Sequence, residues 1–337
     1  MEETQALNIA FYDTRSYDRD SFTDVNKTFL YNIDFFDFHL NEKTALTAKG
    51  YEVICVFVND TINSKVIATL KECGVKLIAL RCAGYNNVDL RAAAKAGIKV
   101  VRVPAYSPNA VAEHTVALLL SLTRKIPQAY IKTRSGNFSL NGLTGRNLNG
   151  LTACILGTGR IGKLTAEILS GFGMNIEVFD VVPDNEWAAF HGFKYVQLTQ
   201  LFADADVLSL HCPLTEETKH VVNAQSLQLM KRDAVIINTG RGALIDSTAL
   251  VNSLKKQTLG GAALDVYEEE SKYFFDDWSV NIIRDDTLAR LMTFPNVIIT
   301  SHQAFLTTNA LKAIATTTLE NIKEFKAGTE ELTNEVK

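Results

Sequence analysis

One hexapeptide limits the architecture more than anything else in the chain. Gly157-Thr158-Gly159-Arg160-Ile161-Gly162 stands between an apolar run, Leu151–Leu156, and a segment that continues as a helix, Lys163–Leu169. A G-x-G-x-x-G in that setting is the turn from a strand of a parallel sheet into a helix that binds a pyrophosphate. Gly157 permits the turn, Gly159 lets the backbone approach the phosphates, and Gly162 lets helix and strand pack closely. The helix N-terminus adds free N–H groups and a positive dipole end. The next strand, Asn175–Phe179, ends in Asp180, 18 residues beyond the last glycine. A carboxylate there accepts hydrogen bonds from the adenosine ribose and repels a 2′-phosphate. Val181-Val182-Pro183 holds no Arg to receive such a phosphate. The motif therefore predicts NAD rather than NADP.

The rest of the chain repeats the strand–helix theme. Short apolar runs at Leu7–Tyr12, Tyr51–Val58, Lys76–Arg81 and Lys99–Val103 precede the motif. Asp206–His211, Ala234–Asn238, Gly261–Val266 and Asn296–Thr300 follow it. Most are continuous Val/Ile/Leu/Ala runs, the pattern of parallel strands covered on both faces. With helices between them they predict βαβ units in doubly wound α/β sheets. A chain of 337 residues has material for two such domains. Two long helices mark the crossings between them. One opens at Ser107-Pro108, with Ser as N-cap and Pro in the first helical position. The other follows Thr307-Thr308, with Leu311, Ile314, Ala315, Leu319 and Ile322 on one stripe. The prediction is a discontinuous domain, residues 1–105 and 302–337, with a second domain, 106–301, inserted in it.

Charge and cysteine usage exclude several function classes. Lys and Arg number 34 against 38 Asp and Glu, a net charge of −4, which argues against a domain that grips nucleic-acid phosphates. The apolar stretch near Val116–Leu122 is too short to span a bilayer. Met1-Glu2-Glu3-Thr4-Gln5 lacks the basic flank and apolar core of a leader peptide. Cys55, Cys73, Cys82, Cys154 and Cys212 are odd in number, never spaced C-x-x-C, and sit mostly in apolar runs. They predict reduced thiols and no metal cluster. The expectation is a cytoplasmic protein without nucleic-acid or membrane partners.

Three late strands each end in an ionisable group. Ala234–Asn238 leads through Thr239-Gly240 to Arg241, Gly261–Asp265 leads to Glu268-Glu269-Glu270, and Asn296–Ser301 leads to His302. Ligands of open α/β sheets bind beyond the carboxyl ends of the strands. Arg, Glu and His can therefore converge beside the cofactor, a combination suited to chemistry.

Seven segments in order carry a wider likeness. They are Arg81-Cys82-Ala83-Gly84-Tyr85-Asn86-Asn87-Val88-Asp89, Val103-Pro104-Ala105-Tyr106-Ser107-Pro108, Gly157–Gly162, His211-Cys212-Pro213-Leu214-Thr215, Arg241-Gly242-Ala243-Leu244-Ile245-Asp246, Asp265-Val266-Tyr267 and His302-Gln303-Ala304-Phe305. Together they resemble the D-isomer-specific 2-hydroxyacid dehydrogenases over nearly the whole chain. The resemblance implies a flavodoxin-like substrate domain with an inserted Rossmann NAD-binding domain. It implies catalytic roles for Arg241, which binds substrate, for the carboxylate Glu270, and for the acid–base His302. Their spacings, 29 and 61 residues from Arg241, suit the D-lactate branch. It further implies substrate contacts at Ala83, Gly84, Tyr106 and Phe305. Tyr12 reads equally as a pocket wall or as aromatic core. Implied cofactor contacts are Gly157, Thr158, Gly159, Arg160, Ile161, Gly162, Asp180, His211, Cys212, Pro213, Asn238, Thr239, Gly240 and Asp265.

The implied reaction is reversible hydride transfer between NADH and pyruvate. That the product is D-lactate rests on the resemblance alone. Glu270 next to His302 would favour the imidazolium that gives the proton. The two domains are expected to close over the substrate, hinged near Val103–Pro108 and Ser301–Thr307. The segment Tyr130–Asn149 suits a homodimer contact. Two rivals stay open. One is a relative acting on hydroxypyruvate, glyoxylate or a larger 2-oxo acid. The other is an NAD-sensing corepressor or scaffold of the same fold. Two positions depart from the family pattern. Ser271 follows the glutamate where many relatives have proline, and Gly240 precedes Arg241 where Ser or Ala is common. The glycine is expected to loosen the approach to Arg241.

Overall fold

Parallel pairing organises the chain into two sheets. The computed structural model describes residues 7–337; Met1–Gln5, on which the expectation about a leader peptide rests, lies outside the described residues. One unit runs to Ser107 and resumes at Leu306 through Lys337; the other is Pro108–Phe305.

The first unit holds β1 (Asn8–Phe11), β2 (Asn32–Phe35), β3 (Val53–Val56), β4 (Leu77–Leu80) and β5 (Lys99–Val101), in the order β2-β1-β3-β4-β5. Every pair is parallel. β3 and β4 are buried throughout, as their continuous apolar runs demand. The helix Thr308–Lys326 returns to this unit, its N-terminus capped by the Thr307 hydroxyl on the Ala310 N–H. It packs against the helix Ser16–Asn26, where Ser21 Oγ donates to the Leu311 carbonyl at 2.9 Å. Ile314, Ala315, Leu319 and Ile322 of the expected stripe are all buried.

The second unit holds β6 (Thr152–Leu156), β7 (Asn175–Phe179), β8 (Lys194–Tyr195), β9 (Val207–Leu210), β10 (Val235–Asn238), β11 (Gly261–Leu264) and β12 (Val297–Ile299). All run parallel in the order β12-β11-β10-β9-β6-β7-β8. The order reverses between β6 and β9, the switch point where such sheets open a crevice. β9, β10 and β11 are wholly buried, so whatever follows their last residues is held on a rigid base. The helix Pro108–Thr123 lies across β10, β11 and β12 and against the helix Arg160–Gly171. Among the described residues no helix is long and apolar enough to cross a membrane. None of the five cysteines is joined in a disulfide.

Candidate active site

The fingerprint is shaped by what its glycines exclude. Gly157 has φ +99°, and a Cβ there would lie 2.5 Å from the Cys212 nitrogen. A Cβ on Gly162 would lie 1.9 Å from the Gly157 carbonyl oxygen. Gly159 caps the helix Arg160–Gly171 with no side-chain hydrogen bond, and no atom comes within 4 Å of where its Cβ would be. A bare helix N-terminus over an open backbone fits a pyrophosphate. Asp180 ends β7 at the mouth of this turn. Its Oδ2 accepts from the Thr158 N–H at 2.6 Å and the Thr158 hydroxyl at 3.2 Å, and its Oδ1 accepts from the Val182 N–H at 3.0 Å. Three donors fix the carboxylate where the sequence motif places the ribose. His211, just past β9, pairs through Nε2 with the Ser209 hydroxyl at 2.8 Å. Burial pushes its pKa down to about 4, so the ring is neutral at pH 7. Burial pushes the neighbouring Cys212 thiol up to about 11, which keeps it protonated.

Arg241, Glu270 and His302 leave the carboxyl ends of three adjacent strands, β10, β11 and β12. The first turn is pinned by Asn238, which is fully buried. Its Oδ1 accepts from the Gly240 N–H at 3.0 Å, and its Nδ2 donates to the Arg241 carbonyl at 2.9 Å. This corrects the expectation that Gly240 loosens the approach to Arg241. The side chain that straddles the turn restrains it, and a Cβ on Gly240 would come no nearer than 3.3 Å to any neighbour. The exposed Arg241 guanidinium donates through Nη1 to the Gly240 carbonyl at 2.8 Å. Gly242 then presses on the acidic turn; a Cβ there would sit 2.1 Å from the Tyr267 carbonyl carbon and 2.4 Å from the Glu268 nitrogen. The Arg241 turn and the turn that carries Glu270 are therefore in direct backbone contact.

Glu270 is held at both oxygens. Oε2 accepts from the Tyr267 N–H at 2.9 Å, and Oε1 pairs with His302 Nδ1 at 2.8 Å. With Nδ1 taken, Nε2 is the ring nitrogen left for a substrate. The His302 ring lies 5.8 Å from that of Phe275. His302 itself adopts φ +53°, a left-handed conformation unfavourable for a non-glycine residue. Asp265 holds it there. The Asp265 carbonyl accepts from the His302 N–H at 2.7 Å. Its carboxylate accepts from the Gln303 N–H at 2.9 Å, the Ala304 N–H at 2.8 Å and the Thr300 hydroxyl. Burial pushes this carboxyl's pKa up, but hydrogen bonds from His114, Thr300, Ala304 and Gln303 outweigh it and hold the group below the usual range.

The remaining expected residues are more scattered. Ala83 and Gly84 follow β4 in the other unit; among the described residues their N–H groups donate to nothing. Their carbonyls are engaged, by Arg102 Nη1 at 2.8 Å and by the Cys82 thiol at 3.2 Å. Phe305 is buried, Tyr106 half-buried, and Pro213 exposed. Tyr12 is corrected to a core residue. It is 0% exposed, its ring packs on Phe36 and Phe38, and its hydroxyl bonds Thr47 at 2.9 Å, so it presents no face to a ligand. Two histidines come to the site unannounced by any motif. His220 Nε2 pairs with Glu268 Oε1 at 2.6 Å, on the acidic turn, and His114 reaches Thr300. Each looks like an isolated polar residue in the sequence; only the fold supplies its partner.

The sequence-family model described as "D-isomer specific 2-hydroxyacid dehydrogenase, NAD binding domain" matches residues 116–304. The chain is 50% identical over 322 residues to D-lactate dehydrogenase of Escherichia coli, covering 96% of this chain and 98% of that one. The solved apo-structure of Escherichia coli D-lactate dehydrogenase superposes with a TM-score of 0.91 at 48% identity, covering 98% of this chain and 100% of the other. A solved structure of the pyruvate reductase of Chlamydomonas reinhardtii superposes with a TM-score of 0.93 at 40% identity, covering 98% of each chain.

Proposed function

The chain belongs to the D-isomer-specific 2-hydroxyacid dehydrogenase family, and from that premise we propose that it reduces pyruvate with NADH to D-lactate and catalyses the reverse reaction. The observation that carries the reading is the Glu270–His302 pair at 2.8 Å, on strand ends beside that of Arg241. The fingerprint lies in the same sheet. The cofactor is NAD; the Gly157–Gly162 turn would hold its pyrophosphate and Asp180 its ribose. When bound, it supplies the hydride that the substrate's carbonyl carbon receives.

The protein supplies orientation and charge. Arg241 offers a planar fork to the substrate carboxylate and polarises the neighbouring keto oxygen. As negative charge develops on that oxygen, His302 Nε2–H gives it a proton. Glu270 on Nδ1 fixes the ring's orientation and leaves Nε2 for the substrate. In the direction of lactate oxidation, the neutral ring takes the hydroxyl proton. Overall, pyruvate gains a hydride and a proton.

Relative kcat/KM across a panel of 2-oxo acids tests the substrate assignment. Pyruvate is expected to lead, with 2-oxobutyrate behind by roughly tenfold or more, because one methylene is worth about 1–3 kcal/mol in an apolar pocket. A higher kcat/KM for hydroxypyruvate, glyoxylate or a larger 2-oxo acid transfers the assignment to that substrate. No turnover of any of them favours an NAD-sensing scaffold.

The same reading makes the protein a homodimer and assigns it to the cytoplasm, where thiols stay reduced. The support for the dimer is an arm after the helix Pro108–Thr123. The helix Ile126–Arg134 buries none of its residues, and Tyr130, Ile131, Phe138 and Leu140 are all more than half exposed. A run of exposed large apolar side chains marks an interaction surface. Sedimentation at twice the chain mass of 37.2 kDa is expected, and a species at the single mass removes the dimer.

A further inference from the structure

Two consecutive side chains of the helix Pro108–Thr123 reach two different functional loops. His114 Nε2 lies 3.2 Å from the Thr300 hydroxyl oxygen and 3.4 Å from Asp265 Oδ1. The Thr300 hydroxyl donates to Asp265 Oδ1, so it accepts from His114 Nε2–H. Asp265 in turn takes the backbone N–H groups of His302, Gln303 and Ala304. His114 thus pegs the loop that keeps His302 at φ +53°. Such a conformation persists only where its surroundings over-determine it. Thr115 serves the neighbouring loop. Its hydroxyl donates to the Val111 carbonyl at 2.8 Å, so it accepts from the Thr239 hydroxyl, also at 2.8 Å. Thr239 is two residues before Arg241, and both threonines are buried.

We propose that His114 and Thr115 are positioning residues, His114 for the catalytic histidine and Thr115 for the arginine that binds the substrate carboxylate. The proposal rests on the pyruvate-reductase reading. Because the two pegs serve different loops, their losses fall on different kinetic constants. A mislaid proton donor slows the chemical step, whereas a mislaid carboxylate fork weakens binding that ground and transition states share.

The test is steady-state kinetics on the full chain with pyruvate and NADH. His114→Leu is expected to lower kcat about tenfold to 10²-fold with the KM for pyruvate nearly unchanged, and His114→Gln, which keeps an N–H donor, to recover most of it. Thr115→Val is expected to raise the KM for pyruvate severalfold with kcat nearly unchanged, and Thr115→Ser to restore it. Should His114→Leu misfold, Thr300→Val, which removes the His114 acceptor together with the Thr300–Asp265 hydrogen bond, must show a kcat loss at least as large. Variants with unchanged constants, losses on the same constant at both positions, or absence of rescue by Gln and Ser each overturn the proposal. An unaltered chain inert toward every 2-oxo acid overturns the underlying reading as well, which separates the two failures.

Discussion

Replacing His302 with alanine leaves a protein that binds NADH, read by fluorescence titration, but turns over pyruvate roughly 10²–10⁴-fold more slowly. The reason is local. His302 Nδ1 is bound to Glu270 at 2.8 Å, and the proton source proposed above is the remaining ring nitrogen, Nε2. Glu270→Gln keeps the shape of the side chain but removes the charge of the group that holds Nδ1, and is expected to slow pyruvate reduction by about tenfold or more. An alanine variant with near-full turnover takes His302 out of the mechanism, and unchanged kinetics in Glu270→Gln take Glu270 out.

Gly242→Ala is the second large effect, although the residue has no side chain to lose. Its new methyl would stand 2.1 Å from the Tyr267 carbonyl carbon, 2.2 Å from its oxygen and 2.4 Å from the Glu268 nitrogen. All three atoms are backbone, so either the Arg241 turn or the Glu270 turn must move. Forced overpacking costs about 1–3 kcal/mol of stability, and a displacement near 1 Å at a reacting group costs about 10²-fold in rate. Gly240→Ala is the comparison, since its nearest neighbour, the Leu210 carbonyl oxygen, would be 3.3 Å away, a contact relieved by a shift of a few tenths of an ångström. We expect kcat/KM for pyruvate to fall about 10²-fold in Gly242→Ala and to hold within a few-fold in Gly240→Ala. Equal kinetics in the two variants would show that the contact between the turns does not matter.

Much of this was readable from residue order. The buried strands announced themselves because continuous apolar runs have few other uses, and the fingerprint located the cofactor turn. Two strands left no such signal. Asn32–Phe35 lies at a sheet edge with alternating exposure, and Lys194–Tyr195 is an edge strand of two residues. Neither is covered on both faces, so neither needs an apolar run. The ionisable trio was legible because strand ends converge in a parallel sheet. What holds the trio was not. Asn238 looks like the last residue of a strand, yet it clamps the Arg241 turn; Asp265 looks like a ligand contact, yet its oxygens carry the His302 loop. Those roles depend on hydrogen bonds between loops, which no periodicity encodes. Tyr12 carries the same lesson in reverse. An aromatic at a strand end suits either a pocket or a core, and only its burial and its Thr47 partner decide.

Product identity is the most direct measurement of the central claim. Purified protein with pyruvate and NADH should form one lactate for each NADH oxidised, all of it the D-enantiomer by chiral chromatography. L-lactate, NADH loss without lactate, or no NADH loss at all would contradict it.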